Sequence, residues 1–169
     1  LIVYYLIPGR LQWLLLLAAS YGFYLTGGLW AIDYLLFTTL TTWLAGRALG
    51  TLNDRRKALP KEDKAGAERL KRRKKAVTAL ALLANFGLLY VVKYLDLTAG
   101  LLHLPKPDLG LVLPLGLSFY MFQSVGYVID CYRGKYPPEK SLPRFALFVS
   151  FFPQVVQGPI SRFGDLGPQ

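Results

Sequence analysis

The sequence predicts an all-α polytopic membrane protein with about five to six transmembrane or re-entrant helices. Three observations carry that expectation. Apolar residues make up 53% of the 169 residues and charged ones 18%, where a soluble domain carries about a quarter charged. The apolar content falls into stretches nearly free of charge, each approaching the roughly 20 residues that cross hydrocarbon. The basic residues behind the net charge of +10 crowd into the polar stretches between them. A disordered chain lacks such hydrophobicity, and a basic nucleic-acid binder has no use for repeated apolar runs of nearly bilayer length.

Taken in order, Leu1 to Ile7 reads as the tail of a spanning helix, stopped by the turn signal Pro8-Gly9 with Arg10 just beyond. No basic region precedes it and no small-residue cleavage site follows directly, so it is not a secretory signal. A second span covers Leu11 to Thr26, with Trp13, Tyr21 and Tyr24 near its ends as interfacial anchors. Gly27-Gly28 makes a turn, and a third span runs from Leu29 to Leu49. From Asn53 to Lys75 eleven basic residues face four acidic ones, a net +7. By the positive-inside rule this basic loop, residues 53–75, lies in the cytoplasm. Its second half, from Lys61, has helix-forming composition and extends the next span into water.

That span, Ala76 to Leu95, carries a single charge, Lys93, close enough to the far end to snorkel. Asp96 to Val112, with Pro105 and Pro107, reads as a loop on the opposite side. Leu113 to Tyr132 crosses back, with Pro114 at a first helical position. Arg133, Lys135, Lys140 and Arg144 mark a second cytoplasmic loop, so alternation puts every basic cluster on one face. The last apolar stretch, Phe145 to Phe163, is interrupted by Pro153 and Gly158-Pro159. It reads as a broken or re-entrant helix whose backbone must be satisfied by protein or a wet cavity.

The single cysteine, Cys131, has no partner for an internal disulfide, and with one histidine, His103, a Cys/His zinc site is excluded. The chain opens without Met and closes on Gly167-Pro168-Gln169, as a fragment of a longer protein would.

Polar groups within spans are the places to look for chemistry, because each costs free energy in hydrocarbon unless paired or wetted. Thr38, Thr41, Thr42 and Ala45, followed by Gly46 and Gly50 at GxxxG spacing, form a small-residue face suited to tight helix packing. Asn85, central in its span, is suited to a hydrogen bond with a neighbouring helix. Gln123, Tyr127 and Asp130 share one helix face. They either line a polar path between helices, or Asp130 sits at the interface paired with Arg133 while Gln123 bonds a backbone carbonyl. Gln154 and Gln157, between Pro153 and Pro159, bring amides and freed carbonyls together as a lined cavity needs. The basic loop attracts anionic inner-leaflet lipid, at about 1 kcal/mol per basic residue near the surface.

Three motifs carry a resemblance. Pro114-Leu115-Gly116-Leu117-Ser118-Phe119-Tyr120-Met121-Phe122-Gln123, then Tyr127-Val128-Ile129-Asp130-Cys131-Tyr132-Arg133-Gly134, then Phe151-Phe152-Pro153-Gln154 with Gly158-Pro159-Ile160, resemble the membrane-bound O-acyltransferase family. The similar branch is the bacterial one of the alginate O-acetyltransferases and the D-alanyl transfer protein of teichoic acid synthesis. Gln157 departs from it, standing where a small residue such as Ala or Ser is expected.

The resemblance implies that the chain is the N-terminal part, residues 1–169, of one membrane-embedded acyltransferase domain. The family's catalytic histidine follows the Gly-Pro motif, whereas His103 precedes it, so no catalytic residue lies in this stretch and it is expected to be inactive alone. The complete enzyme would move an acetyl or similar acyl group from a cytoplasmic thioester donor, acyl-CoA or an acyl carrier protein, to hydroxyls of an extracytoplasmic polysaccharide or cell-wall polymer. Its implied partners are the inner-membrane bilayer, that donor, and an extracytoplasmic acceptor or partner acyltransferase; nucleic acid, a bound cofactor and a metal are not expected. Gln123, Tyr127, Asp130, Gln154 and Gln157 would line the channel between donor and acceptor, with Arg133 near its cytoplasmic mouth. A rival class, a transporter half or lipid-binding scaffold, also uses broken helices, but the two halves of the chain show no internal repeat.

Overall fold

The computed structural model describes residues 12–26, 29–60, 62–102 and 116–150, and all regular structure among them is helical. The elements are α1 (Gln12–Thr26), α2 (Leu29–Ala58), α3 (Lys64–Lys93), α4 (Leu95–Leu101), α5 (Leu117–Arg133) and α6 (Leu142–Ser150). Helix α1 matches the second expected span to within a residue. The first apolar stretch, Arg10, the Gly27-Gly28 turn, His103, Pro114 and the motif from Phe151 onward lie outside the described residues.

The basic segment differs from its expectation. Over 53–75 its first half is helix instead of loop, since α2 continues past Leu49 to Ala58, while its second half is helical from Lys64, as its composition from Lys61 leads one to expect. Nothing between Leu49 and Ala58 breaks a helix, and Arg55, Arg56 and Lys57 sit in its last turn, where cations complement the helix dipole. Pro60 ends it. The Pro60 carbonyl accepts from the Asp63 amide at 3.1 Å, and Asp63 caps α3 by accepting from the Gly66 N–H at 2.8 Å. Charge spacing alone marks which side of a membrane a segment favours, not whether its backbone is helical.

Two further boundaries move. The stretch from Asp96 begins as α4, tied back to α3 by the Tyr90 hydroxyl, which donates to Thr98 Oγ1 at 3.1 Å. The last apolar helix starts at Leu142, before Phe145, because Pro143 fits a first helical turn. Helix α5 begins after Gly116 and stops at Gly134, both left-handed at φ 77° and 71°. At its end the Lys135 N–H reaches the Asp130 carbonyl and the Gly134 N–H the Cys131 carbonyl, the paired bonds of a Schellman stop.

Helix α2 is the hub, packing on α3, α5, α6 and α1. It runs parallel to α5, since Gly46 meets Tyr127 and, further along both helices, Asn53 Nδ2 donates to the Cys131 carbonyl at 2.8 Å. Helices α3 and α6 run antiparallel to α5, shown by the Phe86–Phe122 ring pair and by Gln123 reaching Phe148.

The surface departs from that of a soluble domain, with large apolar side chains facing outward as well as into the core. Leu36, Phe37, Leu40 and Leu44 of α2 and Leu80, Leu83 and Phe86 of α3 are exposed, while Thr38, Thr39, Thr42, Asn85, Gln123 and Ser124 are buried. Among the described residues one helix, α3, is long and apolar enough to cross a membrane. Apolar side chains outside, with polar groups held between helices, is the arrangement a lipid solvent favours.

Candidate functional site

The small-residue face of α2 does what its spacing suggests. A Cβ on Gly46 would lie 2.6 Å from Tyr127 Cε1 and 2.8 Å from its hydroxyl. Gly50 leaves room for the Pro138 ring in the same way. Asn85 fastens α3 to α2, its amide donating to Thr41 Oγ1 at 3.1 Å and to the Ala81 carbonyl at 2.8 Å. Asn85→Ala is expected to lower unfolding stability by about 0.6 to 1.7 kcal/mol, from the average to the maximum for bonds between membrane helices, read as the thermal midpoint of the detergent-solubilised protein.

On α5 the structure divides the expected stripe. Gln123 and Tyr127 are buried; Asp130 is half-buried and Arg133 exposed. Gln123 Nε2 donates to the Phe148 carbonyl of α6 at 3.1 Å. The Tyr127 hydroxyl accepts from the Glu139 N–H at 2.9 Å, and its ring lies against Phe145 with centroids 4.6 Å apart. Glu139 in turn accepts from the Ser141 N–H at 2.8 Å, shaping the entry to α6. Asp130 shares the face of Gln123 but lies near the helix end, where the cover stops. Asp130 and Arg133 form no ion pair; among the described residues the ion pair is Arg72 with Glu68 at 3.6 Å, exposed on α3. Gln154 and Gln157 lie outside the described residues.

Sequence reasoning missed the partners supplied from afar: Glu139 and Phe145 around Tyr127, Pro138 on Gly50, and Asn53 on the end of α5. Asn53 had been grouped with the charges that follow it. A neutral amide at the head of a basic run was the available signal, since it has no electrostatic reason to be there.

At the basic end Lys74 of α3 is folded under, 6% exposed, with Nζ 4.9 Å from the Tyr132 ring centroid. It precedes the apolar run of α3. Desolvation, and then the charge of Arg56 on α2, hold its ammonium below the usual lysine range. No three His, Cys, Asp or Glu side chains among the described residues gather as metal ligands.

A helical bundle with large apolar side chains facing outward, an amide and phenol stripe buried at its centre and a basic hairpin at one end defines an integral membrane protein. The chain is 34% identical over 99% of its length to a probable alginate O-acetylase AlgI of Pseudomonas syringae pv. tomato. It is 35% identical over 99% of its length to the protein of the same name in Azotobacter vinelandii. A peptidoglycan O-acetyltransferase of Helicobacter pylori is 34% identical over 118 residues, 53% of the chain. No family model and no solved structure matches. The chain belongs to the membrane-bound O-acyltransferase family, on the branch of the bacterial alginate O-acetylases. It spans 31% and 32% of the length of the two alginate O-acetylases.

Proposed function

We propose that the chain is the N-terminal membrane part of an O-acyltransferase that takes an acyl group, acetyl by the names of its relatives, from a cytoplasmic thioester to hydroxyls of an extracytoplasmic polymer. The observation that carries this reading is the identity to two alginate O-acetylases along 99% of the chain, which includes the buried Gln123–Tyr127 stripe. A general base removes the acceptor's proton as its oxygen attacks the thioester carbonyl, and the thiol leaves with a proton. The resemblance puts that base, a histidine, beyond Gln169, so this stretch alone is inactive in the proposal.

Its own contribution is the wall of the path. Gln123 and Tyr127 set the spacing of α5, α6 and the Glu139 loop, Asp130 stands half-buried at the rim, and Arg133 is at the mouth. Gln154 and Gln157 complete the wall in this reading, and the +7 hairpin faces the donor, which is acyl-CoA or an acyl carrier protein. In the full-length enzyme, Asp130→Ala or Gln154→Ala is expected to reduce acetyl transfer at least about tenfold, about 1.4 kcal/mol, at normal expression. Unchanged turnover in both variants overturns the assignment.

The orientation has its own check. With Glu62→Cys at the hairpin tip, a membrane-impermeant thiol reagent is expected to label the protein only after the inner membrane is opened. Labelling in intact spheroplasts would reverse the topology, in which five to six helices cross or enter the inner membrane.

A further inference from the structure

Every helical serine or threonine has an acceptor close at hand, the carbonyl three or four residues earlier. Thr26, Thr41, Thr42, Thr51 and Thr98 all use it, at 2.5 to 3.1 Å. Thr39, Thr78 and Ser150 leave it unused. So do Ser20 on α1, Thr38 on α2 and Ser124 on α5. Each is 0% exposed, and its hydroxyl has no partner among the described residues. One turn away on the same face of each helix stands a tyrosine in the same state: Tyr24, Tyr34 and Tyr120, 2%, 7% and 0% exposed, with unpartnered phenols.

The tyrosines belong to one core cluster, and the rings of Tyr24 and Tyr120 meet edge to face at 6.1 Å. Helix α1 is separated from α2 by two residues and packs along it, so the two run opposite ways; with α5 parallel to α2, the tyrosines form one tier. The smaller hydroxyls form a second tier, one turn nearer the basic hairpin.

We propose that these six hydroxyls line an internal water-binding site enclosed by α1, α2 and α5. Buried hydroxyls without partners are costly and uncommon, and six on three adjoining helices are not independent accidents. The serine and threonine hydroxyls could have bonded their own backbone, and all six side chains are buried instead. They are already buried within this chain. The occupant is therefore small, and it both donates and accepts, because every lining group does both. Water has that size and that valence. An apolar occupant would leave all six hydroxyls unpaired. The site is separate from the Gln123–Tyr127 contacts, whose polar atoms are bonded to α6 and the Glu139 loop, and it does not depend on the acyltransferase reading.

The test is X-ray radiolytic labelling of the full-length protein in lipid nanodiscs, where hydroxyl radicals form from bound water in place. Tyr24, Tyr34 and Tyr120 are expected to be oxidised at rates comparable to exposed Tyr90, despite their burial. Background labelling at all three overturns the proposal. In Tyr120→Phe, labelling at Tyr24 and Tyr34 is expected to fall while that at Tyr90 holds; unchanged labelling at both places the water elsewhere and also overturns it.

Discussion

Gly46→Val is expected to force α2 and α5 apart and to cost more than any other single change on the small-residue face of α2. A Cβ alone would sit 2.6 Å from the Tyr127 ring. The ring has nowhere to go, being packed at a tilt against Phe145 and tied through its hydroxyl to the Glu139 amide at 2.9 Å. Overpacking a fixed site costs about 1–3 kcal/mol and occasionally more, valine adds three carbons, and here the hydroxyl bond goes with it, about 1 kcal/mol more. The check is the thermal midpoint of the purified full-length protein. Gly126→Ala, at a position with nothing within 4 Å of the new Cβ, is the control and is expected to leave the midpoint unchanged or raise it.

Phe145→Ala is expected to be the most damaging truncation, at about 3–5 kcal/mol. Phe145 is 0% exposed and lies between the rings of Tyr127 and Phe148, at 4.6 and 6.0 Å. Three packed helix segments fix the walls of the hole it would leave, so little collapse offsets the loss. The substitution should also loosen the Gln123–Phe148 bond, since α6 is seated by that ring. Faster proteolysis near α6, together with a lower midpoint, is the expected signature. A cavity that merely closed would leave proteolysis as in the parent protein.

What the sequence made legible was set by the range of the interaction concerned. The apolar runs, the net +7 of the hairpin and the shared face of Gln123 and Tyr127 are local, and period and charge display them directly. The Gly46 and Gly50 spacing announced a close contact but not its partners, because Tyr127 and Pro138 are brought there only by the fold. Asp130 shows the opposite limit: helical period puts it with Gln123, yet its burial depends on how far a neighbouring element extends. The extension of α2 past Leu49 was hidden for a different reason. Lysine and arginine signal membrane side through net charge and helix through propensity, and a count of charge records only the first. The motif from Phe151 onward, with Gln154 and Gln157, lies outside the described residues and rests on the resemblance.

The straight continuation of α2 and α3 beyond their apolar runs has a mechanical consequence. Nine residues past Leu49 and twelve before Ala76 amount to about 13 and 18 Å of rod, joined by a short capped turn and underpinned where Lys74 lies on Tyr132. Such a pair bends as one piece. A load applied at its tip is transmitted as tilt to the small-residue seam at Gly46 and Gly50, whereas a slack tether would absorb the same load before it reached the bundle.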